Sequence, residues 1–191
     1  MTLVLAAGRG TRMGGPKALM TFQGHPWWRY QSDRLVSVGV RQLWVVSPEV
    51  DRVMSEHPDA CCNRVVADPM QPMFESLIVG IRSLEEHPPS MIFVLPVDVP
   101  VPDRSTHIAL ADAGGVAIPI HRGRTGHPVM LSWPWIQDQL LPIIGDGRDR
   151  AAIRLDQMTS TFAQRVEVAD ASVVINLNTP CDMARWCNGE K

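Results

Sequence analysis

Short, continuously apolar runs separated by segments of mixed polarity constrain the fold of this 191-residue chain more than any other feature. The runs are Leu3 to Ala6, Leu43 to Val46, Val65 to Ala67, Met91 to Leu95, Val116 to Ile118, Val129 to Leu131 and Val173 to Leu177. A strand with no polar face is one covered on both sides, which is the condition of strands in a parallel sheet. Between the runs lie helical candidates at Pro26 to Val38, Val50 to His57, Met73 to Glu86, Asp103 to Ala113, Trp133 to Leu141, Arg148 to Gln157 and Pro180 to Cys187. In the first of these Tyr30, Leu35 and Val38 are apolar where Arg29, Asp33 and Arg34 are polar, and Pro26 suits a first helical turn. Such alternation predicts an α/β fold, a three-layer sandwich around a mainly parallel sheet with right-handed crossovers. The stretch from Ile118 to Leu131 departs from it. Gly123 and Gly126 between apolar flanks predict a hairpin-like excursion, so the sheet is expected to be mixed. No repeat, low-complexity tract or long polar linker interrupts the chain, and residues 1–191 read as a single domain. Ligands of such folds bind beyond the carboxyl ends of the strands, which singles out the loops after Ala6, Leu95 and Leu177.

Composition narrows the function. With 45% hydrophobic and 20% charged residues the chain has the means to bury a core. The 18 Lys and Arg against 20 Asp and Glu leave a net charge of -2, without the basic excess that binding to a phosphate backbone demands, so nucleic acid is not expected as a main partner. No apolar run approaches the roughly 20 residues that cross a bilayer, and the N-terminus does not read as a signal peptide. The expectation is a cytoplasmic protein with no membrane partner. Cys61, Cys62, Cys181 and Cys187 include an adjacent pair and no CxxC spacing, consistent with reduced thiols. The six histidines form neither HExxH nor a Cys/His array, so a zinc enzyme is not expected.

The first loop carries the strongest chemical signal: Ala6-Ala7-Gly8-Arg9-Gly10-Thr11-Arg12-Met13-Gly14-Gly15-Pro16-Lys17. Its glycines expose backbone N–H groups to an anion, and Arg9, Arg12 and Lys17 add positive charge, a combination suited to a polyphosphate. It is not a P-loop, because Pro16 separates Gly15 from Lys17 and Ala18 follows where Ser or Thr is needed. As a dinucleotide loop it lacks the third glycine, with Met13 at that place, and Pro16 interrupts the helix.

Taken whole, Leu5 to Lys17 resembles the signature of GT-A-like nucleotidyltransferases, written roughly LAAGxGTRMGxxK. The resemblance implies a Rossmann-like GT-A fold. It implies that Leu5, Ala6, Ala7 and Gly8 edge the base, that the backbone of Gly8, Arg9, Gly10, Thr11 and Arg12 wraps the triphosphate, and that Arg12 and Lys17 are catalytic cations. In Pro96-Val97-Asp98-Val99-Pro100 it implies that Asp98 holds magnesium at the end of a buried strand. Asp103, by contrast, is the expected cap of the helix that follows.

Further motifs extend the resemblance. Asn176-Leu177-Asn178-Thr179-Pro180 matches the family's terminal segment, with Asn176 as a second metal ligand and Asn178 or Thr179 able to cap a helix at Pro180. The segment from Asp68 to Leu77 resembles an element that frames the base, through Asp68, Met73 and Ser76, although Pro72 replaces a glycine and removes a backbone N–H. Gly126-His127-Pro128-Val129 and, in part, Gly145-Asp146-Gly147-Arg148-Asp149-Arg150 resemble motifs of the cytidylyl branch of the molybdenum cofactor nucleotidyltransferases, a family that also has a guanylyl branch, and imply acceptor contacts by His127, Asp146 and Arg150. Trp27, Trp28, Trp133 and Trp135 are either stacking surfaces for a flat pterin-like acceptor or core residues.

The resemblance therefore implies magnesium-dependent transfer of a nucleoside monophosphate from an NTP to a phosphorylated acceptor. Ala7, where the guanylyl branch has a second glycine, favours CTP, and molybdopterin is the expected acceptor; Asn at position 176 leans towards GTP. Sugar 1-phosphates are a third choice of acceptor. A molybdoenzyme or chaperone partner is also implied. From other classes stand a non-catalytic nucleotide-binding regulator, motivated by Pro72 and by Arg148-Asp149, and an NADP oxidoreductase.

Overall fold

The computed structural model describes residues 1–58, 62–145 and 153–189, with the backbone alone for Arg12, Ile144 and Cys187. Strand β1 is Thr2–Ala6; a small antiparallel hairpin, β2 (Thr21–Phe22) and β3 (His25–Pro26), follows the first loop. The remaining strands are β4 (Gln42–Val46), β5 (Asn63–Val66), β6 (Met91–Pro96), β7 (Val116–His121), β8 (Arg124–Thr125), β9 (Val129–Ser132) and β10 (Ala163–Glu167). One eight-stranded sheet runs in the order β10-β7-β9-β6-β1-β4-β5, with β8 pairing β7. Strand β1 is parallel to β4 and β6, β4 to β5, and β7 to β10; β9 lies antiparallel between β6 and β7. The excursion expected between Ile118 and Leu131 is this inserted antiparallel strand.

The apolar runs are continuous because alternate side chains feed two different layers. Leu3 and Leu5 pack with Leu43, Val45, Ile92 and Val94 on one face, beneath α3 (Met73–Arg82) and the helical stretch formed by α5 (Trp133–Trp135), a π turn (Ile136–Leu140) and α6 (Leu141–Gly145). Val4 and Ala6 pack with Trp44, Val46 and Leu95 on the other face, against α1 (Trp27–Ser37), α2 (Pro48–Ser55) and α8 (Pro180–Cys187). Helix α4 (Arg104–Ala113) adds Leu110 to a smaller cluster with Phe93, Ala117 and Met130. Three layers result. A last short helix, α7, spans Leu155–Thr159.

Some boundaries differ from expectation, each for a physical reason. Helix α1 begins after Pro26, which stands extended before it. Helix α2 starts at Pro48 because the Ser47 hydroxyl accepts from the Val50 N–H at 3.3 Å. Asp103 precedes α4 but makes no capping bond; its carboxylate pairs with Arg34 at 3.0 Å instead. Val173 to Leu177 is not a strand. A 3-10 turn at Ala171–Val174 is opened by the Asp170 carboxylate, which accepts from the Ser172 N–H at 2.9 Å. Val173 and Leu177 are buried, but their backbone partners lie in loops. The sheet is closed at that edge by β10, whose exposed Gln164, Arg165 and Glu167 disguise it in the sequence and suit an unpaired edge. Of the helix expected at Arg148 to Gln157, only α7 lies among the described residues. No helix among them is long and apolar enough to cross a membrane.

Candidate nucleotide and acceptor site

The loop after β1 folds back on itself. Met13 and Gly15 both donate their N–H groups to the Gly10 carbonyl, at 2.7 and 3.3 Å, around a 3-10 turn at Thr11–Met13. Gly10 has φ 58°, and a methyl group added there would run into the Gly15 carbonyl. Only glycine fits both conditions. Pro16 then leads a second 3-10 turn, Lys17–Leu19, which returns the chain to the site.

The loop after β6 meets it. Lys17 Nζ donates to Asp98 Oδ2 at 2.6 Å and to Asn178 Oδ1 at 2.8 Å. Both members of the ion pair are about one-fifth exposed, so a solute can reach them. Three segments distant in sequence thus converge on one ammonium group. Asp98 is held from behind: the indole N–H of buried Trp27 donates to the Val97 carbonyl at 2.6 Å, and the Gln31 amide bridges Val99 and Val101 at 2.7 and 2.9 Å. Asn178 is held by the start of α8. There the Thr179 hydroxyl accepts from the Asp182 N–H, while the Asp182 carboxylate accepts from the N–H groups of Thr179 and Asn178. These bonds, that with Thr179 foremost, hold the Asp182 carboxyl below its usual pKa.

A cleft of about 190 Å³ opens over this cluster. Leu5, Ala7, Gly8, Gly10, Lys17, Met73, Ser76 and Asp98 line it, joined by Gln71, Pro96 and Val97, which the motifs did not single out. Ala6 points to the opposite layer with Val4. Arg9 and Thr11 are exposed, and the Arg9 guanidinium reaches across to Met70 Sδ at 3.4 Å. Asp68 turns its own loop by accepting from the Met70 N–H at 2.8 Å and does not line the cleft. Pro72 stands just before α3, where a missing N–H costs the helix nothing. The Arg12 side chain, Asp146 and Arg150 lie outside what is described, as do Arg148 and Asp149.

In the terminal segment the amide that touches the Lys17–Asp98 pair is Asn178; Asn176 is exposed, and its carbonyl accepts from the Asn178 N–H at 3.1 Å. Trp27 and Trp28 are wholly buried and Trp133 nearly so, while Trp135 packs edge-on against Phe162. The core claims these indoles, and stacking on a ligand by Trp27, Trp28 or Trp133 is ruled out.

His127 is anchored by its N–H to the Val173 carbonyl at 2.8 Å, and Gly126 lies so close to the same carbonyl that a methyl group would collide with it. The imidazole Nδ1 is buried without a hydrogen-bond partner among the described residues. Burial lowers the His127 pKa below 6.5, against the opposing pull of the Asp98 and Asp156 charges. His107, beneath Phe93, is lowered by burial in the same direction. The unfolded chain therefore binds more protons than the folded one just below pH 6.5, and stability rises with pH through that window. We expect the melting temperature to fall as the pH is taken from about 7.5 to about 5.5, and His127→Asn to flatten part of that fall. Calorimetry on both proteins checks it; an unchanged slope in the variant contradicts the assignment.

Comparison with known proteins agrees with this geometry. A family model described as the MobA-like NTP transferase domain matches residues 2–167. A molybdenum cofactor guanylyltransferase from Cereibacter sphaeroides is 28% identical over 195 aligned positions, covering 96% of this chain and 93% of its own. A nucleotidyl transferase from Methanothermobacter thermautotroptrophicus superposes with a TM-score of 0.73 at 23% identity, over 99% of this chain and 96% of that one. A Mycobacterium tuberculosis protein solved in complex with manganese does so with a TM-score of 0.66 at 19% identity, over 98% and 97% of the two chains.

Proposed function

Because the chain belongs to the MobA-like NTP transferase domain family and is a nucleotidyltransferase, we propose that it transfers the nucleoside monophosphate of CTP to the phosphate of a molybdopterin-type acceptor, releasing pyrophosphate. The observation that carries this reading is the Lys17–Asp98 pair, which lines the cleft together with the glycine loop and whose ammonium group also donates to Asn178.

The donor set suits a hard divalent cation. Two side-chain oxygens, from Asp98 and Asn178, already converge on one positive charge, and oxygen donors of this kind hold magnesium together with phosphate oxygens. The manganese complex of the M. tuberculosis relative is in keeping with such a requirement. When bound, magnesium supplies Lewis-acid polarisation and charge neutralisation. Asp98 would hold it with an amide oxygen from Asn178 or Asn176.

The protein's own part is alignment. Backbone N–H groups of Gly8 to Gly10 cradle the phosphates, while Lys17 and Arg12 balance the charge that grows on the α-phosphoryl and pyrophosphate oxygens. An ionised oxygen of the acceptor phosphate attacks the α-phosphorus in line; the new P–O bond forms as the bond to the bridging oxygen of pyrophosphate breaks. The nucleophile is already deprotonated, so no general base is required. His127 ties its own loop to the segment before Asn176 through its backbone N–H, which donates to the Val173 carbonyl at 2.8 Å.

The donor base divides two readings. The Ala7 methyl lines the cleft and narrows it beside the base, which favours cytosine. The guanylyltransferase relative favours GTP. Thermal denaturation with CTP, GTP, UTP, ATP and NADPH, each with and without magnesium, decides between them. A preferred triphosphate at about 100 times its Kd raises the melting temperature by roughly 5 to 10 °C. The largest magnesium-dependent shift is expected with CTP; a larger one with GTP reassigns the donor, and a response to NADPH alone overturns the transferase reading.

A further inference from the structure

A second groove, larger at about 680 Å³, opens along the same edge of the sheet. It lies between the β7–β8 hairpin, the start of α4 and residues 169–175. Strand β9 separates β7 from β6, so the groove begins about two strand spacings, roughly 10 Å, from the loop that carries Asp98. The chain also joins the two places directly. Val174 and Ile175 line the groove, the Leu177 N–H donates to the Asp98 carbonyl at 2.8 Å, and Asn178 binds Lys17.

Two guanidinium groups, those of Arg122 and Arg124, line the groove beside two carboxylates, those of Asp103 and Asp170. Its acids are already engaged: Asp103 pairs with Arg34, and the two oxygens of Asp170 accept from the N–H groups of Asp103 and Ser172 at 2.7 and 2.9 Å. Glu167, at its rim, accepts from the Arg122 N–H at 3.1 Å. Its guanidinium groups are not. Arg124 makes one long contact, 3.4 Å, to the Val174 carbonyl, and no hydrogen bond or ion pair holds the Arg122 head group among the described residues. His121 donates Nδ1–H to the Val168 carbonyl at 3.0 Å, which leaves Nε2 for another partner.

The turn adds independent weight. Arg122 and Gly123 have φ 51° and 76°, as a two-residue type I′ hairpin turn requires, and the first position of that turn favours Asn, Asp or Gly. An arginine there is held in a costly conformation, the kind of strain that clusters at ligand sites. No indole lines the groove, so charge rather than stacking must do the recognising.

We propose that this groove receives the body of the acceptor through a second anionic group, carried about 10 Å from the phosphate that attacks the nucleotide, with Arg122 and Arg124 as its charge contacts. The proposal rests on the transferase reading, and its test keeps the two apart. Calorimetry with magnesium–CTP and magnesium–GTP on the wild-type and R122N/R124Q proteins reports on the donor cleft. Inorganic phosphate, titrated into the same proteins saturated with a non-hydrolysable magnesium–nucleotide, reports on the groove through NMR of the arginine Nε–H and His121 ring signals. Asn-Gly suits the turn, so the variant keeps its fold. Nucleotide affinity should be equal in both proteins. Phosphate should shift the Arg122 and Arg124 signals saturably in the wild type and leave His121 unmoved in the variant. In turnover with molybdopterin the variant should raise the acceptor KM about ten- to hundredfold with kcat and the nucleotide KM unchanged. Linear or absent phosphate shifts, or an unchanged acceptor KM, overturn the groove. Nucleotide binding absent from both proteins overturns the transferase reading, and the acceptor role of the groove falls with it.

Discussion

An Asp98→Asn protein is expected to lose about 10²- to 10³-fold in kcat/KM while its melting temperature moves by no more than about 2 °C. The two numbers come from different physics. Asn keeps the shape of the carboxylate and an acceptor for the Lys17 ammonium, which also retains its 2.8 Å bond to Asn178. The pair is one-fifth exposed, and ion pairs with access to water contribute on the order of 1 kcal/mol or less to stability. What the substitution removes, on the proposed reading, is the negative charge that would hold a divalent cation against the phosphates, and that would be needed most as charge develops in the transition state. Steady-state kinetics with magnesium varied, beside calorimetry, check both halves. A variant that unfolds easily but turns over normally would make Asp98 a structural residue.

Gly10→Ala is expected to act on the loop itself. The new methyl group meets the Gly15 carbonyl, and the left-handed backbone at φ 58° disfavours any residue but glycine. Backbone cannot swing aside as a long side chain can, so the turn must open. We expect a stability loss of about 2 kcal/mol and a fall in triphosphate affinity of about 100-fold. Gly8→Ala is the control for stability: its methyl would meet nothing within 4 Å in the free protein, so the fold should be untouched. Calorimetric titration of each variant and the wild type with the preferred triphosphate checks this; wild-type affinity in Gly10→Ala would show that the shape of the loop does not matter.

Much of the fold was legible because the central strands obey one rule. Leu3 to Ala6 and Leu43 to Val46 feed two buried layers at once, and a run with no polar face has few other ways to fold. The same rule misled at Val173 to Leu177, where burial is real but the partners are loop carbonyls and amides, which leave no trace in hydropathy. Strand β10 was invisible for the opposite reason, since an edge strand with Gln164, Arg165 and Glu167 exposed reads as loop.

At the site, the meeting of Lys17 with Asp98 followed from two loops leaving the same sheet edge. The part played by Asn178 did not, because a residue before a capping Thr179 is first read as part of the cap, and the two asparagines of the segment differ only in how the chain turns between them. Trp27 and Gln31 were hidden inside a helical pattern: their value lies in polar atoms aimed at the carbonyls of the Asp98 loop, and periodicity reports only which face is buried. Gly123 and Gly126 marked a hairpin-like excursion; that Arg122 and Gly123 both have positive φ, with a guanidinium beside a groove, is a fact of the backbone.

The most direct test of the account uses CTP and GTP labelled at the α-phosphorus, with magnesium and purified molybdopterin. Transfer of the label to the acceptor, with one pyrophosphate released per label transferred and none released without acceptor, is the predicted result. Nucleotide binding with no transfer would leave a regulator on a transferase fold, and release of inorganic phosphate from the γ position would contradict the proposed chemistry outright.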